Sequence, residues 1–173
     1  NMLLEQRAKS VGLLTTKGFR DVLEVGRQTR PNLYNYEIKR PEPLAKRSHR
    51  IEIPERINVD GIVQLPLDHG VVEQAALDFL NNDIEAIAIC FLHSYKNANH
   101  EIQAAEIIRN TLPNAFLSLS SEVLPEFREY ERTSTTAVNT YVGPRMQLYL
   151  QKLKERIARL EIKCPPYIIH SNG

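Results

Sequence analysis

Cysteine is scarce in this sequence, which excludes the classes of protein that depend on it. Only Cys90 and Cys164 occur among 173 residues, too few for a disulfide framework. Cys90 lies in an apolar run, where a buried thiol in a reducing compartment is the simpler interpretation. We therefore expect a cytoplasmic protein whose cysteines are structural.

Long apolar runs and an excess of one charge are also missing. No stretch reaches the roughly 18 apolar residues that a membrane-spanning helix needs, and no signal-peptide pattern is present. The formal net charge of +1 gives no general attraction to nucleic acid or to an anionic membrane. The basic stretch 40–50 is interrupted by Glu42 and contains no aromatic residue. We therefore expect neither nucleic acid nor a membrane as a partner.

The common catalytic and nucleotide-binding motifs are absent as well. The sequence contains no GxGxxG, GxxxxGK[ST], HExxH or GxSxG. His93 and His100 flank the loop after the buried strand and do not lie on one helix, so we expect no metal site. Lys17-Gly18 could present backbone N–H groups to an anion after the first strand, but a single glycine does not make a phosphate cradle.

What the sequence does contain is an alternation of strands and helices. The patterns predict an α/β fold: a mostly parallel mixed sheet flanked by helices, with an inserted β-hairpin. We expect one α/β unit over residues 1–173, in which 28–66 form an extended loop and the hairpin. Asp60-Gly61 predicts the two-residue turn of that hairpin. The strands are expected at 11–14, 84–92, 116–119 and 166–169. The helices are expected at 18–25, 70–82, 99–112 and 145–161. Thr15-Thr16 should cap the first of these helices and Asp68 the second.

The two middle helices and the last one carry apolar stripes. Val72, Ala75, Ala76, Phe79 and Leu80 predict the buried face of the first, and Ile102, Ala105, Ile108 and Leu112 that of the second. The last helix places Met146, Leu150, Leu153, Ile157 and Leu160 at 4-3-4-3 spacing, with a polar face opposite.

The stretch 118–144 is polar where a core element would be apolar, and it contains two helix breakers, Pro125 and Gly143-Pro144. Its hydroxyl run disfavours a helix interior, so we expect two short helices there. Two interpretations of the run 129–136 stay open. Local ion pairs of Arg128 and Arg132 with Glu131 would make it an internal network; alternatively, Glu129 or Arg132 reaches substrate or a neighbouring lobe.

Residues that follow the buried strands are the other candidates for a site. Ligands of open α/β sheets bind beyond the carboxyl ends of strands, which makes His93-Ser94 and Ser120-Ser121-Glu122 candidates for lining a pocket. For the second group we prefer helix capping by Ser121. We expect His93 to bond within its loop and His100 to be solvated.

The ends of the sequence indicate a piece of a longer protein. Residues 1–7 have the character of a helix tail without a start signal, and Tyr167–Ile169 that of a buried strand followed only by Ser171-Asn172-Gly173. We expect an excised fragment.

Several motifs resemble the N-terminal region of the hydantoinase A / 5-oxoprolinase family. They are LLTTKGFRDVLEVGRQ (13–28), RPEPLAKR (40–47), CFLHSYKNANHE (90–101), LSSEVLPEFREYERTSTTAVNTYVGP (119–144) and HSNG (170–173). The resemblance implies part of an actin- or sugar-kinase-like, cytoplasmic subunit that uses ATP and Mg²⁺ to open a cyclic amide such as hydantoin or 5-oxoproline. In such enzymes phosphorylation of the carbonyl oxygen is thought to precede attack by water, because it creates a good leaving group.

The resemblance also implies a hydantoinase B-type partner subunit or domain. The family's phosphate loop precedes residue 1, and Ser171-Asn172-Gly173 matches only the start of a second glycine-rich segment, so we expect the fragment alone to be inactive. Our candidates for substrate binding are Glu129, Arg132, Thr133 and Asn172. The alternatives are a subunit-docking module, or part of a related ATP-dependent ketone carboxylase.

Overall fold

The computed structural model describes residues 10–28 and 42–160. Within them, strands alternate with helices as the sequence predicted. The strands are β1 (Val11–Thr16), β2 (Arg50–Ile53), β3 (Arg56–Ile57), β4 (Val63–Leu65), β5 (Ala86–Cys90) and β6 (Phe116–Leu119). The helices are α1 (Val22–Val25), α2 (His69–Asn81), α3 (Asn99–Thr111), α4 (Ser120–Val123) and α5 (Glu129–Arg159), with a 3₁₀ turn at Arg47–His49.

Four parallel strands form the central sheet in the order β2-β1-β5-β6. Strands β1 and β5 occupy the middle and are buried along their whole length, as expected for strands covered on both faces. The sequence placed Thr15 and Thr16 at a helix cap, but both belong to β1. The helix predicted at 18–25 is only the single turn α1, with Asp21 at its N-cap position.

The region between β1 and α2 contributes both to the sheet and to a hairpin. Strand β2 pairs with β1 from Arg50 to Ile53, a position in the main sheet that the sequence did not predict. Strands β3 and β4 form the predicted antiparallel hairpin. The turn of this hairpin is longer than two residues. The Asn58 carbonyl accepts the N–H of Gly61, and within the turn only Gly61 has a positive φ, of 83°. This is a three-residue turn with a glycine in the left-handed region.

Helices cover both faces of the sheet. Helices α2 and α3 pack on one face, where Phe79 and Ile108 meet Leu14, Ile87 and Ile89. On the other face Tyr141 of α5 packs with Leu13, Ala88 and Cys90. Asp68 caps α2 as predicted, because its carboxylate accepts the N–H of Val71 at 3.1 Å. Leu80 and Ile102 were assigned to the buried faces, but both are exposed.

Helix α5 is continuous, which contradicts the prediction of two short helices followed by a separate helix from Arg145. It runs through Gly143 and Pro144. The hydroxyls of Thr136 and Thr140 donate to the carbonyls of Arg132 and Thr136, one turn earlier, at 2.7 and 2.8 Å. They therefore bond along the helix instead of competing with it. Proline removes only one backbone N–H, and tertiary packing of residues 132–143 outweighs that loss.

Although α5 is long, no helix within residues 10–28 and 42–160 is apolar enough over sufficient length to cross a membrane. The helix tail predicted at 1–7, the strand predicted at 166–169, Cys164 and the closing residues 171–173 lie outside the described residues.

Gly143 permits close contact between α5 and β6, which gives a first prediction. A Cβ added at Gly143 would lie 2.1 Å from Cζ of Phe116. Overpacking typically costs about 1–3 kcal/mol, whereas alanine is favoured over glycine in a helix by about 1 kcal/mol. We expect Gly143→Ala to lower the free energy of unfolding, measured by urea denaturation. In a Phe116→Ala background the same change should raise it; destabilisation in both backgrounds would contradict this account.

Candidate functional site

Polar side chains converge at the carboxyl edge of the parallel sheet. Thr16 ends β1, Glu55 follows β2, Ser94 follows β5 and Ser120 follows β6, and all four are buried. Helix α3 adds His100 and Glu101, and α5 adds Arg132 and Thr133. Because ligands of open α/β sheets bind at this edge, we identify it as the candidate site.

Arg132 is the largest charged side chain buried in this cluster, and only 2% of its surface is exposed. Its guanidinium donates to the carbonyl of Phe91 at 2.8 Å and to the hydroxyl of Ser94. It also lies over the ring of Tyr95, 5.5 Å from the centroid. These contacts fix the start of α5 to the loop that follows β5.

A chain of hydroxyls connects this cation to a buried anion. Ser120 donates to the Glu101 carboxylate at 2.6 Å, and the Ser94 and Ser120 oxygens are 3.0 Å apart. Each hydroxyl has one hydrogen, so Ser94 must donate to Ser120 while it accepts from Arg132. All three bonds therefore point from Arg132 towards Glu101, an arrangement in which each bond strengthens the next.

Glu101 is fully buried and holds three segments together. Its carboxylate accepts the N–H of Phe91 at 2.9 Å, the hydroxyl of Ser120, and the N–H of Ser121 at 2.9 Å. One amide of the first turn of α4, that of Ser121, is thus satisfied by Glu101. The expectation that Ser121 caps this helix was wrong: its hydroxyl oxygen is buried without a hydrogen-bond partner.

A second buried pair lies next to the first. His100 Nδ1 is 2.7 Å from Glu55, and Thr16 donates to the other oxygen of the same carboxylate. Thr16 also accepts the N–H of Leu92 at 2.8 Å. We expected His100 to be solvated, but it is 3% exposed. The reason is its partner Glu55, which is 45 residues away in the chain.

A small cavity lies between the start of α5 and the ends of β1 and β5. Its volume is about 10 Å³, room for a single water molecule. Thr133 bonds to the Cys90 sulfur at 3.1 Å on its wall, and burial raises the pKa of that thiol, as expected for a structural cysteine. The lining residues are Thr15, Phe19, Val22, Cys90, Leu92, Glu129, Arg132 and Thr133.

Glu129 is the acidic group in this cluster that remains available. It is half-buried in the first turn of α5, and its carboxylate makes no hydrogen bond or ion pair within the described residues. Glu101 and Glu55, by contrast, are occupied by donors. The preceding residue, Arg128, has a φ of 81°, a conformation that costs energy for a residue with a side chain and is frequent at functional sites.

The structure thus brings together three of the four predicted substrate-binding residues. Glu129, Arg132 and Thr133 share the cavity, whereas Asn172 lies outside the described residues. Of the lining candidates, Ser94 and Ser120 join the network, and His93 contacts Tyr95 within its loop at 3.3 Å. The expected local ion pairs do not form: Glu131 pairs with Arg27 at 2.6 Å. The pKa of Glu131 lies below its usual value. The main cause is a hydrogen bond from its own backbone N–H, and the second is the hydrogen bond from Arg27.

Two residues that the sequence analysis missed are central. The burial of Glu101 could have been predicted from the sequence, because Glu101 lies on the same helix face as Ala104, Ala105 and Ile108, which are all buried. A charged residue on an apolar stripe indicates a buried partner. Glu55 left no such signal, since it follows a strand in an irregular segment.

Among the described residues there is neither a metal-binding cluster nor an open anion site at Lys17-Gly18. No group of three or more His, Cys, Asp or Glu side chains among them could hold a metal. The anion site considered at Lys17-Gly18 is occupied, because the Gly18 N–H donates to Glu52 at 2.6 Å.

Comparison with known proteins identifies a matching family and several relatives. A family model described as the hydantoinase/oxoprolinase N-terminal region matches residues 1–112. The whole chain is 41% identical to an uncharacterized protein of Methanocaldococcus jannaschii and covers 26% of it. It is 35% identical over its whole length to caprolactamase subunit alpha of Pseudomonas jessenii, covering 25% of that protein.

A third relative, the 5-oxoprolinase of Dictyostelium discoideum, is 28% identical over 87% of this chain, which covers 14% of that protein. The chain therefore spans about a quarter or less of the length of these curated relatives.

Two solved structures share the fold. The crystal structure of the ATP-dependent caprolactamase from Pseudomonas jessenii matches 95% of this chain and 24% of its own, with a TM-score of 0.86 and 35% identity. A nucleotide-free structure of acetone carboxylase matches 92% of this chain and 24% of its own, with a TM-score of 0.82 and 26% identity. The sheet and its flanking helices are thus the shared part.

Glu101 gives a second prediction. In Glu101→Gln an amide NH₂ replaces one acceptor oxygen and faces a donor, and an unsatisfied buried donor costs about 1–3 kcal/mol. We expect a loss of stability of that size in urea denaturation. Glu106→Gln, on the exposed side of the same helix, is the matched control and should change nothing. Equal stability of the two variants would show that the three bonds to Glu101 contribute little.

Proposed function

This chain belongs to the hydantoinase/oxoprolinase family, and from that premise we propose that it forms part of an ATP-dependent subunit that opens a small cyclic amide. The family predicted from the sequence motifs is thereby confirmed. The relatives named caprolactamase and 5-oxoprolinase support the substrate class. Mg²⁺, a hydantoinase B-type partner and a cytoplasmic location belong to the same proposal; the relatives named as subunits support the partner.

The proposal of a cyclic amide as substrate rests on one observation. The carboxylate of Glu129, at the carboxyl edge of the sheet, is free to accept a hydrogen bond. A cyclic amide of this class carries a ring N–H donor, and a carboxylate is the acceptor that binds it most strongly. Arg132 and Thr133 are buried, and the two terminal nitrogens of Arg132 and the Thr133 hydroxyl are already bonded, whereas Arg132 Nε is not. We assign both as positioning residues that hold the first turn of α5. We propose that Glu129 accepts the hydrogen bond of the ring N–H.

The same observation bears on the alternative of a ketone carboxylase. The chain is similar to acetone carboxylase and to the gamma subunit of acetophenone carboxylase, the latter at 31% identity. A ketone has no N–H to donate, so a free carboxylate at this position favours the cyclic amide.

The described residues are assigned no direct part in nucleotide binding. They contain no phosphate-binding loop, and their buried carboxylates already accept protein donors. We assign the ATP site to the rest of the polypeptide, for which the longer relatives leave room.

A docking role is the second candidate, and one observation favours it. The second half of α5 is exposed and carries apolar residues, whereas the first half packs on the sheet. Docking and substrate binding involve different halves of the helix, so they can be tested separately.

A third prediction tests Glu129 in the intact enzyme. A hydrogen bond to a charged group contributes about 1.5–3 kcal/mol. We therefore expect Glu129→Gln to lower kcat/KM for the cyclic amide roughly 10–100-fold, with the assembly unchanged in size-exclusion chromatography. The exposed Glu126 supplies the control Glu126→Gln, which should leave turnover unchanged. Loss of assembly without an intrinsic loss of turnover would favour docking instead.

A fourth prediction concerns the 173 residues alone. Because residues 10–28 and 42–160 contain no phosphate-binding loop, we expect no ATPase activity and no nucleotide binding tighter than millimolar, measured by phosphate release and isothermal titration calorimetry. The intact enzyme is the positive control. Tight binding by residues 1–173 would refute the assignment of the nucleotide site to the rest of the polypeptide.

A further inference from the structure

The second half of α5 carries an apolar seam that is left open in the described part of the chain. All the buried residues of this helix lie at or before Gly143. Beyond it, Met146 is 53% exposed and Leu160 66% exposed. We define the α5 seam as Met146, Leu150, Leu153, Ile157 and Leu160.

The spacing of the seam suits contact with another helix. The intervals of 4, 3, 4 and 3 residues average 3.5, which keeps two positions of every seven on one line. That is the spacing of a coiled-coil contact, and the exposed Tyr149 lies directly beside it.

Charge indicates the character of the partner helix. Four basic residues and one acidic residue occur between Leu150 and Leu160, and Lys154 and Arg156 directly flank the seam. A helix with Asp and Glu beside its apolar residues would form ion pairs with them.

The size of the seam points to a partner in the same polypeptide. Stable contacts between separate proteins use roughly 20–30 residues on each side, whereas residues 146–160 offer one face of a fifteen-residue stretch. A contact this small is maintained more readily when both helices are covalently linked, because linkage gives a high effective concentration. The curated relatives are about four times as long as this chain, which leaves ample length for such a helix.

We propose that the α5 seam packs against a helix from the part of the same polypeptide outside these 173 residues, and that this helix carries acidic residues beside its apolar stripe. The proposal is independent of the role of Glu129. Turnover tests that role, whereas the contact is tested by cross-linking, so the two can fail separately.

The test places a photo-cross-linking residue, p-benzoylphenylalanine, at Leu153 of the intact polypeptide in its natural assembly. The same probe at Ala158, which is exposed and away from the seam, is the matched control. After irradiation, denaturing electrophoresis separates products within one polypeptide from those between polypeptides, and mass spectrometry identifies the captured peptide. We expect position 153, but not 158, to capture a peptide of the same polypeptide with heptad-spaced apolar residues and acidic flanks.

Other products would overturn the proposal. These are a cross-link from 153 to a different subunit or to a second copy, the absence of any cross-link at 153, or equal capture at both positions. Binding to vesicles of phosphatidylcholine and phosphatidylserine that competes with the cross-link would also overturn it, because the seam would then contact lipid.

A second measurement uses charge. We expect the pair Leu153→Glu and Ile157→Glu to reduce the hydrogen-exchange protection of the captured segment. The control pair Gln151→Glu and Ala158→Glu adds the same charge away from the seam and should preserve protection. Equal protection in the two double variants would overturn the proposal, and the cross-linking result stands even where the seam variant fails to fold.

Discussion

The burial of one charge, the guanidinium of Arg132, constrains the arrangement of the whole carboxyl edge of the sheet. A guanidinium does not lose its proton in a protein, so burial must be accompanied by hydrogen-bond acceptors. Arg132 obtains them from Phe91 and Ser94, which fixes the loop after β5. Ser94 in turn orients Ser120, and Ser120 donates to Glu101. The ends of two strands, the start of α3 and the start of α5 are thereby held through one connected set of bonds.

The same constraint explains why α5 is a single helix despite a sequence unfavourable to one. Its first half is fixed at several points, including Arg132, Thr133 on Cys90, and Asn139 on Ser118 at 3.0 Å. Gly143 then lets the backbone approach Phe116. With that half in place, continuing the helix across Pro144 requires the loss of only one backbone donor. Local propensity, which predicted a break here, is overridden by tertiary contacts.

The sequence predicted the elements whose signal is local. The apolar run of β5, the Asp68 cap and the stripes of α2 and α3 each depend on residues within a few positions of one another. The errors involve partners that are distant in the chain. His100 was expected in solvent because Glu55 is 45 residues away, and Glu131 was given a neighbour in its own helix although its partner is Arg27. The polar stretch 129–136 was recognised as unusual, but which of its side chains point into the site depends on where β1 and β5 end.

A network in which most polar groups are bonded, with Arg132 Nε and the Ser121 hydroxyl as exceptions, has a consequence for the chemistry at this edge. Arg132, Glu101, Ser94 and Ser120 are connected to one another or to backbone groups, and a change in any one of them would leave a buried partner unsatisfied, at a cost of about 1–3 kcal/mol. Such groups position other residues well and respond poorly to charge that develops in a substrate. A half-buried carboxylate without a partner has the opposite properties, because binding a donor there breaks no existing bond. We propose that this contrast between a largely bonded interior and the free Glu129 at its rim directs a ligand to the first turn of α5.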